Sequence, residues 1–265
     1  MSGLLGLLAG LMVIVGGALS DEDPLGSLVS LTATIIVIGG TFAALFTQFG
    51  VGPIIVGFKG FGWMIKPRKT DLHAYIEQVA EWSSLARSQG TLALESILPD
   101  VKDPFQQKGL QMIIDNTSPE DMHSILNILA EHQSREEHEA GEVWEAAGGY
   151  SPTIGVMGAV LGLIHVMMRL NHPEELGAGI ATAFVATIYG VGAANLVFLP
   201  IGTRFKFMAE AQERNRAIII QGFVLLAEGK PGIMIRQNLQ SFIHEKAKPK
   251  KDAAEEEPAG APAAA

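Results

Sequence analysis

Apolar residues in this chain gather into four long runs, and the runs come in two pairs. Leu4–Leu19 and a run from Leu28 to about Phe49 or Val56 are separated by the acidic turn SDEDPLGS, while Tyr150–Met168 and Leu176–Ile201 are joined by RLNHPEEL. A helix needs about 17–25 predominantly apolar residues to cross a bilayer, so the pattern predicts four transmembrane helices in two hairpins. Leu4–Leu19 is short for a span. It has no basic segment before it and no clear small-residue cleavage site before the acidic turn, so it reads as a retained helix rather than a removed leader.

Between the pairs, Gly57–Gly149 alternates polar and apolar residues at helical spacing. Leu72, Tyr75, Ile76, Val79 and Trp82 mark one amphipathic helix that stops at Gly90. Ser118, followed by Pro119 and by Asp121 three residues on, predicts the capped start of a long helix towards Trp144. After the fourth run, TRFKFMAEAQERNRAIIIQGFVLLAEG extends as a helix to Gly229, and a shorter one around Ile233–Ile243 follows Pro231. The closing AAEEEPAGAPAAA is of low complexity and is read as disordered.

Composition agrees with a lipid partner: 48% of residues are hydrophobic and the mean hydropathy is +0.27, above an ordinary soluble domain. The net charge of −9 argues against nucleic acid, which calls for a clustered basic surface; KAKPKK is the only short basic stretch. Cysteine is absent, so there is no thiolate nucleophile, disulfide or Cys-ligated metal site. Of the 19 Lys and Arg, only Arg169 lies in either short turn. Basic residues are retained on the cytoplasmic side during insertion, which puts both termini and the middle loop in the cytoplasm. The fold expected is all-α and polytopic: residues 1–56 hold transmembrane helices 1 and 2, 57–149 a cytoplasmic helical domain, 150–203 transmembrane helices 3 and 4, 204–246 cytoplasmic helices, and 247–265 the disordered tail.

The last two runs contain little bulk. On a wheel of about 100° per residue, Gly179, Ala183, Thr187, Gly190 and Ala194 share a narrow face, with Ile180, Phe184, Ile188 and Val191 beside it; Gly155, Gly158, Ala159 and Gly162 form a matching stripe. Small residues let membrane helices approach closely, so the stripes predict tight packing, the wall of a conduit, or both. Thr187 is the hydroxyl on that face, serving a pathway or bonding back to the carbonyl four residues earlier. The four runs hold no Asp, Glu, Lys or Arg. A proton relay needs a titratable group; His165 is the one candidate, near the outer end of its run, where an interfacial role also fits. A conducted ion therefore calls for a carboxylate on another polypeptide. Pro152 and Pro200 fall at the cytoplasmic boundary of oppositely directed spans. Pro152 reads as the first residue of a helix capped by Ser151 or as a hinge, Pro200 as a kink, stop or hinge.

AGGYSPTIGVMGAVLGLIHVM, GIATAFVATIYGVGAANLVFLPIGTRFK, ARSQGTLALE and DPFQQKGLQMIID resemble the A subunit of the bacterial flagellar motor stator, the MotA/PomA family, from the first span to about Ile243. The resemblance implies an inner-membrane homopentamer around two B subunits. Each B subunit has one span carrying the ion-binding Asp and a peptidoglycan anchor. The rotor switch complex is the implied cytoplasmic partner, and no cofactor or metal is implied, only a transported ion. Residue by residue, the family's prolines fall on Pro152 and Pro200, its pathway Thr on Thr187, and its rotor-contacting charges on Arg87 and Glu95. The basic residue that often follows that Arg is Ser88 here. Sodium-driven members resemble one another in carrying Thr both at the Thr187 position and at the position of Ala159, so a proton is the expected ion and sodium the alternative. A TolQ/ExbB-type energiser would share the last two spans, although such proteins have three. An enzyme finds little support: His132 and His138 do not share a helical face, and no phosphate loop or nucleophile elbow is present.

Overall fold

Four helices in this chain begin where a side chain meets their unpaired N–H groups. The computed structural model describes residues 29–65 and 70–244 and isolated positions between 6 and 17; every regular element among the described residues is a helix. Helix α1, Leu31–Phe49, starts at Ser30, whose Oγ accepts from the Ala33 N–H at 3.2 Å. It carries a π turn over Ile35–Gly39 and ends at Gly50, whose φ of 70° suits a residue without Cβ. Helix α2 is Val51–Ile65. Helix α3, Leu72–Gln89, is capped by Asp71, and Gly90, φ 87°, closes it where the sequence predicts. Two 3₁₀ turns, Thr91–Ser96 and Leu98–Asp100, lead to α4, Pro104–Ile114, capped by Asp103.

Helix α5 runs over Pro119–Met167, 49 residues. Ser118 Oγ accepts from the Asp121 N–H at 3.1 Å and donates to the Asp121 carboxylate at 2.7 Å. The helix does not stop near Trp144: it continues unbroken into the third apolar run. Pro152 is therefore inside a helix, and Ser151 caps nothing. A turn at 168–172 leads to α6, Pro173–Gly192, which passes through a π segment, Ala193–Phe198, into α7, Leu199–Ala227. Helix α8 is Gly232–His244. Among the described residues three helices are long and apolar enough to cross a membrane: Leu31–Phe49, Pro119–Met167 and Leu176–Ala227. The expected first span Leu4–Leu19 as a whole, the acidic turn after it and the tail 247–265 lie outside the described residues.

The chain forms two compact units, the first from Met1–Thr70 and Asn127–Arg216, the second from Asp71–Leu126 and Ala217–Ala265. In the first, Leu45, Ile54, Val143, Trp144, Phe198, Ile201 and Phe205 make a buried cluster, and Trp144 Nε1 donates to the Gly57 carbonyl at 3.1 Å. In the second, Phe223 stacks on Trp82 and meets Tyr75 edge-on. The Tyr75 hydroxyl donates to the Ile219 carbonyl at 2.7 Å, and burial raises its pKa well above the usual phenol value.

Candidate functional site

The small residues of α5 and α6 lie against one another. A Cβ placed on Gly155 would stand 3.0 Å from Gly190 Cα and 2.9 Å from the Ala186 carbonyl oxygen. One on Gly162 would stand 3.2 Å from Ala183 Cα, one on Gly179 would run into Val166, and one on Gly190 would stand 2.6 Å from the Ser151 carbonyl oxygen. Tight helix contact, one of the two readings of the stripes, is therefore what these glycines provide. The bulky side chains at the edges, Phe184, Ile188 and Val191 on α6 and Val156, Met157 and Val160 on α5, are left exposed.

Thr187 and Ala159 sit at one level of this pair. Gly158 meets Ala186, and each is the next residue after its partner in that contact. Both are half-buried. Among the described residues Thr187 Oγ1 makes no hydrogen bond, although Thr182, five residues earlier on α6, donates to the Ala178 carbonyl at 3.0 Å. The back-bonded alternative for Thr187 is therefore not adopted. His165 is exposed and borders a hollow of about 420 Å³ that Thr32, Gly158, Gly162, Gly179 and Thr182 also line.

Pro152 and Pro200 come to neighbouring levels. A Cβ on Gly148, one turn before Pro152, would meet Leu199, the residue before Pro200, at 2.5 Å. Proline in a helix crowds the carbonyl four residues earlier. For Pro200 that residue is Leu196, inside the π segment, where the wider turn relieves the crowding. Beside Pro152, Ser151 is fully buried and its Oγ has no hydrogen-bond partner among the described residues. The sequence offers Ser151 only as a cap, beside the hinge reading of Pro152, and does not mark its buried hydroxyl, because nothing local signals that the helix runs through.

Further along the same unit, α5 and α7 are clamped by ion pairs that sequence reasoning also missed. Glu145 pairs with Lys206, and Arg216 Nη2 donates to Glu137 Oε1 at 2.6 Å with both side chains about nine-tenths buried. A close approach lets them form: a Cβ on Gly202 would stand 2.9 Å from the Glu145 backbone nitrogen.

Arg87 and Glu95 belong to the second unit. Arg87 is in the last turn of α3 and Glu95 on the first 3₁₀ turn, on either side of Gly90, and both are exposed. Neither enters an ion pair among the described residues.

A family model described as the MotA/TolQ/ExbB proton channel family matches residues 98–217. Motility protein A of Helicobacter pylori is 30% identical over 244 residues, covering 92% of this chain and 95% of that protein. Motility protein A of Bacillus subtilis is 31% identical over 242 residues, 91% of this chain and 89% of that protein. Among solved structures, that of C. jejuni MotAB superposes with a TM-score of 0.83 at 28% identity, over 95% of this chain and 97% of that one.

Proposed function

We propose how this chain works from one premise: it belongs to the motility protein A family, within the MotA/TolQ/ExbB proton channel proteins. It is a stator subunit of the bacterial flagellar motor and not an enzyme. In our reading residues 1–56 and 150–203 each supply a transmembrane hairpin in the inner membrane. Residues 57–149 and 204–246 supply the cytoplasmic helices, and both termini are cytoplasmic. Five copies surround two B subunits. The similar C. jejuni structure is of MotAB, and an A subunit solved together with a B subunit supports such a partner.

The observation that carries the mechanism is the Thr187 hydroxyl, without a hydrogen-bond partner among the described residues, on a helix pair whose apolar runs hold no Asp, Glu, Lys or Arg. A hydroxyl at membrane depth is costly without a partner, and an ion or its water supplies one. The titrating carboxylate is then the B subunit's Asp. Its neutralisation and recharging beside Thr187 steps the ring of A subunits around the B dimer, Pro152 and Pro200 act as the hinge level, and Arg87 and Glu95 meet charges of the rotor.

We assign the ion as a proton. Sodium exchanges its hydration water for several oxygen ligands, and with Ala159 each subunit offers one hydroxyl at this level where two would serve sodium. Swimming speed measured in sodium-free medium at constant proton-motive force is expected to be unchanged, and a sodium-channel blocker to have no effect. Speed that tracks external sodium and collapses under the blocker would overturn the proton assignment.

A further inference from the structure

His165 is the one residue of the four apolar runs whose side chain type changes charge between about pH 5 and 8, and no step of the mechanism uses it. On α5 it shares a face with Gly158 and Gly162, at helical spacing. That face, together with Thr182 and Ala186 of α6 and Thr32 of α1, lines the hollow of about 420 Å³ in the first unit.

The two ends of the hollow differ. At one end the three helices converge, because a Cβ on Gly158 would stand 3.1 Å from Ala186 Cβ and 3.2 Å from Ile36 Cγ2. Ala159 and Thr187 follow Gly158 and Ala186 in the chain, so the closed end lies at the level of the pathway hydroxyl. From there to His165 is seven residues, about 10.5 Å along the helix. The His165 end is exposed and lies towards the turn at 168–172, on the side where Lys and Arg are scarce and which our reading places outside.

Thr182 gives its hydroxyl proton to the Ala178 carbonyl at 3.0 Å, which leaves its oxygen to accept. Among the described residues His165 enters no hydrogen bond or ion pair. An imidazole at membrane depth is costly without a polar partner, and waters of about 30 Å³ each have room in the hollow to supply one. No charged residue lines the walls that α1 and α6 contribute. The nearest titratable groups along the chain are Arg169 and His172 in the turn and Glu174 and Glu175 in the first turn of α6; Asp21, Glu22 and Asp23, before α1, lie outside the described residues.

We propose that His165 collects protons at the outer mouth of a water-filled hollow that leads to the Thr187 level. Its unprotonated ring nitrogen takes a proton from the outer aqueous phase. The imidazolium gives one up to water in the hollow and is neutral again, and that proton goes on to the carboxylate of the B subunit's Asp. Water and threonine hydroxyls hand a proton on without holding it at neutral pH, whereas histidine does both. The proposal rests on the proton assignment and adds the place of entry.

The test is proton flux through the A–B complex in sodium-free vesicles, with the proton-motive force held constant while the outer pH is varied. The unmodified complex is expected to show an inflection in the histidine range, about pH 5 to 8. His165→Ala and His165→Gln are expected at normal abundance, with the inflection gone and flux at the upper end of that range down roughly tenfold, as for the loss of a proton-transfer group that water partly replaces. Methylimidazole on both sides should return most of the flux to His165→Ala and add none to the unmodified complex, a readout that a packing role does not move. Should His165→Ala fail to assemble, the pH profile of His165→Gln decides. Thr182→Val, which removes an oxygen from the hollow and keeps the collector, is expected to lower flux with the inflection in place and no rescue, and His172→Gln to behave as the unmodified complex. Undiminished flux in the His165 variants or in Thr182→Val, an inflection that disappears with His172, or a loss that methylimidazole does not repair, as when an acyl chain fills the hollow, overturns the collector and its path while the proton assignment stands. Vesicles of the unmodified complex that conduct only when sodium is present overturn both.

Discussion

Thr34, Thr41, Thr47 and Thr182 each return their hydroxyl proton to the carbonyl four residues earlier, at 2.6 to 3.0 Å; Thr187, in the same kind of helix, does not. Replacing it breaks no hydrogen bond among the described residues, so Thr187→Ala should leave the protein at normal membrane levels. The lost partner for the ion or its water is worth about 0.5–1.5 kcal/mol, so conductance of the A–B complex should fall roughly 2- to 12-fold, with Thr187→Ser restoring most of it. Equal conductance in all three proteins, measured in vesicles, would leave Thr187 with packing alone. Ser151 makes the opposite case. Its hydroxyl is buried without a partner, a condition that costs about 1–3 kcal/mol, so Ser151→Ala is expected to raise the thermal unfolding temperature of the detergent-solubilised complex. A fall instead would identify a buried water at that oxygen. The sequence displays Thr187 because it interrupts a stripe of Gly and Ala. It hides Ser151 because the Ser-Pro pair there is also a sound helix start, and only packing decides which use is made of it.

Among the elements, two ends were legible and the continuities were not. Ser118 starts a helix and Gly90 ends one where the sequence places them, while Asp71 and Asp103 cap helices whose starts the sequence reading did not mark. By contrast, Gly148, Gly149 and Pro152 read as a break in α5. The helix runs through with Leu199 filling the space beside Gly148 and Gly190 packed on the turn that holds Ser151 and Gly155, a tertiary effect that no local propensity carries. The π segment before Pro200 is invisible for the same reason. The contact between α3 and α8 has a pH signature. The hydrogen bonds and charge of Arg236 hold the Glu77 carboxyl below its usual range. A depressed carboxylate contributes stability above its unfolded pKa and loses it as pH falls through the folded value, so this contact should be intact at neutral pH and weaken below about pH 4. Hydrogen exchange of the α8 amides should therefore rise with acid, and in Glu77→Gln it should already be elevated at neutral pH. An identical pH profile in the two proteins would remove Glu77 from this role.

For the whole molecule, the missing intramembrane acid has a direct consequence. The chain reconstituted alone should conduct no ions, and conductance should appear with the B subunit and vanish when that partner's membrane Asp becomes Asn. A current from this chain by itself would contradict the mechanism. What the uninterrupted α5 adds is mechanical. At 1.5 Å per residue, Pro152 and Asn127 are about 37 Å apart along one rod, and the rod is lashed to α7 by the Glu145–Lys206 and Glu137–Arg216 pairs. A pivot of about 5° at the proline level then sweeps the far end through about 3 Å, given that a helix this long bends only gently. An ion's displacement within the bilayer is small. A stiff lever turns it into a stroke of atomic-contact size, and a broken helix at Gly148 would have dissipated it.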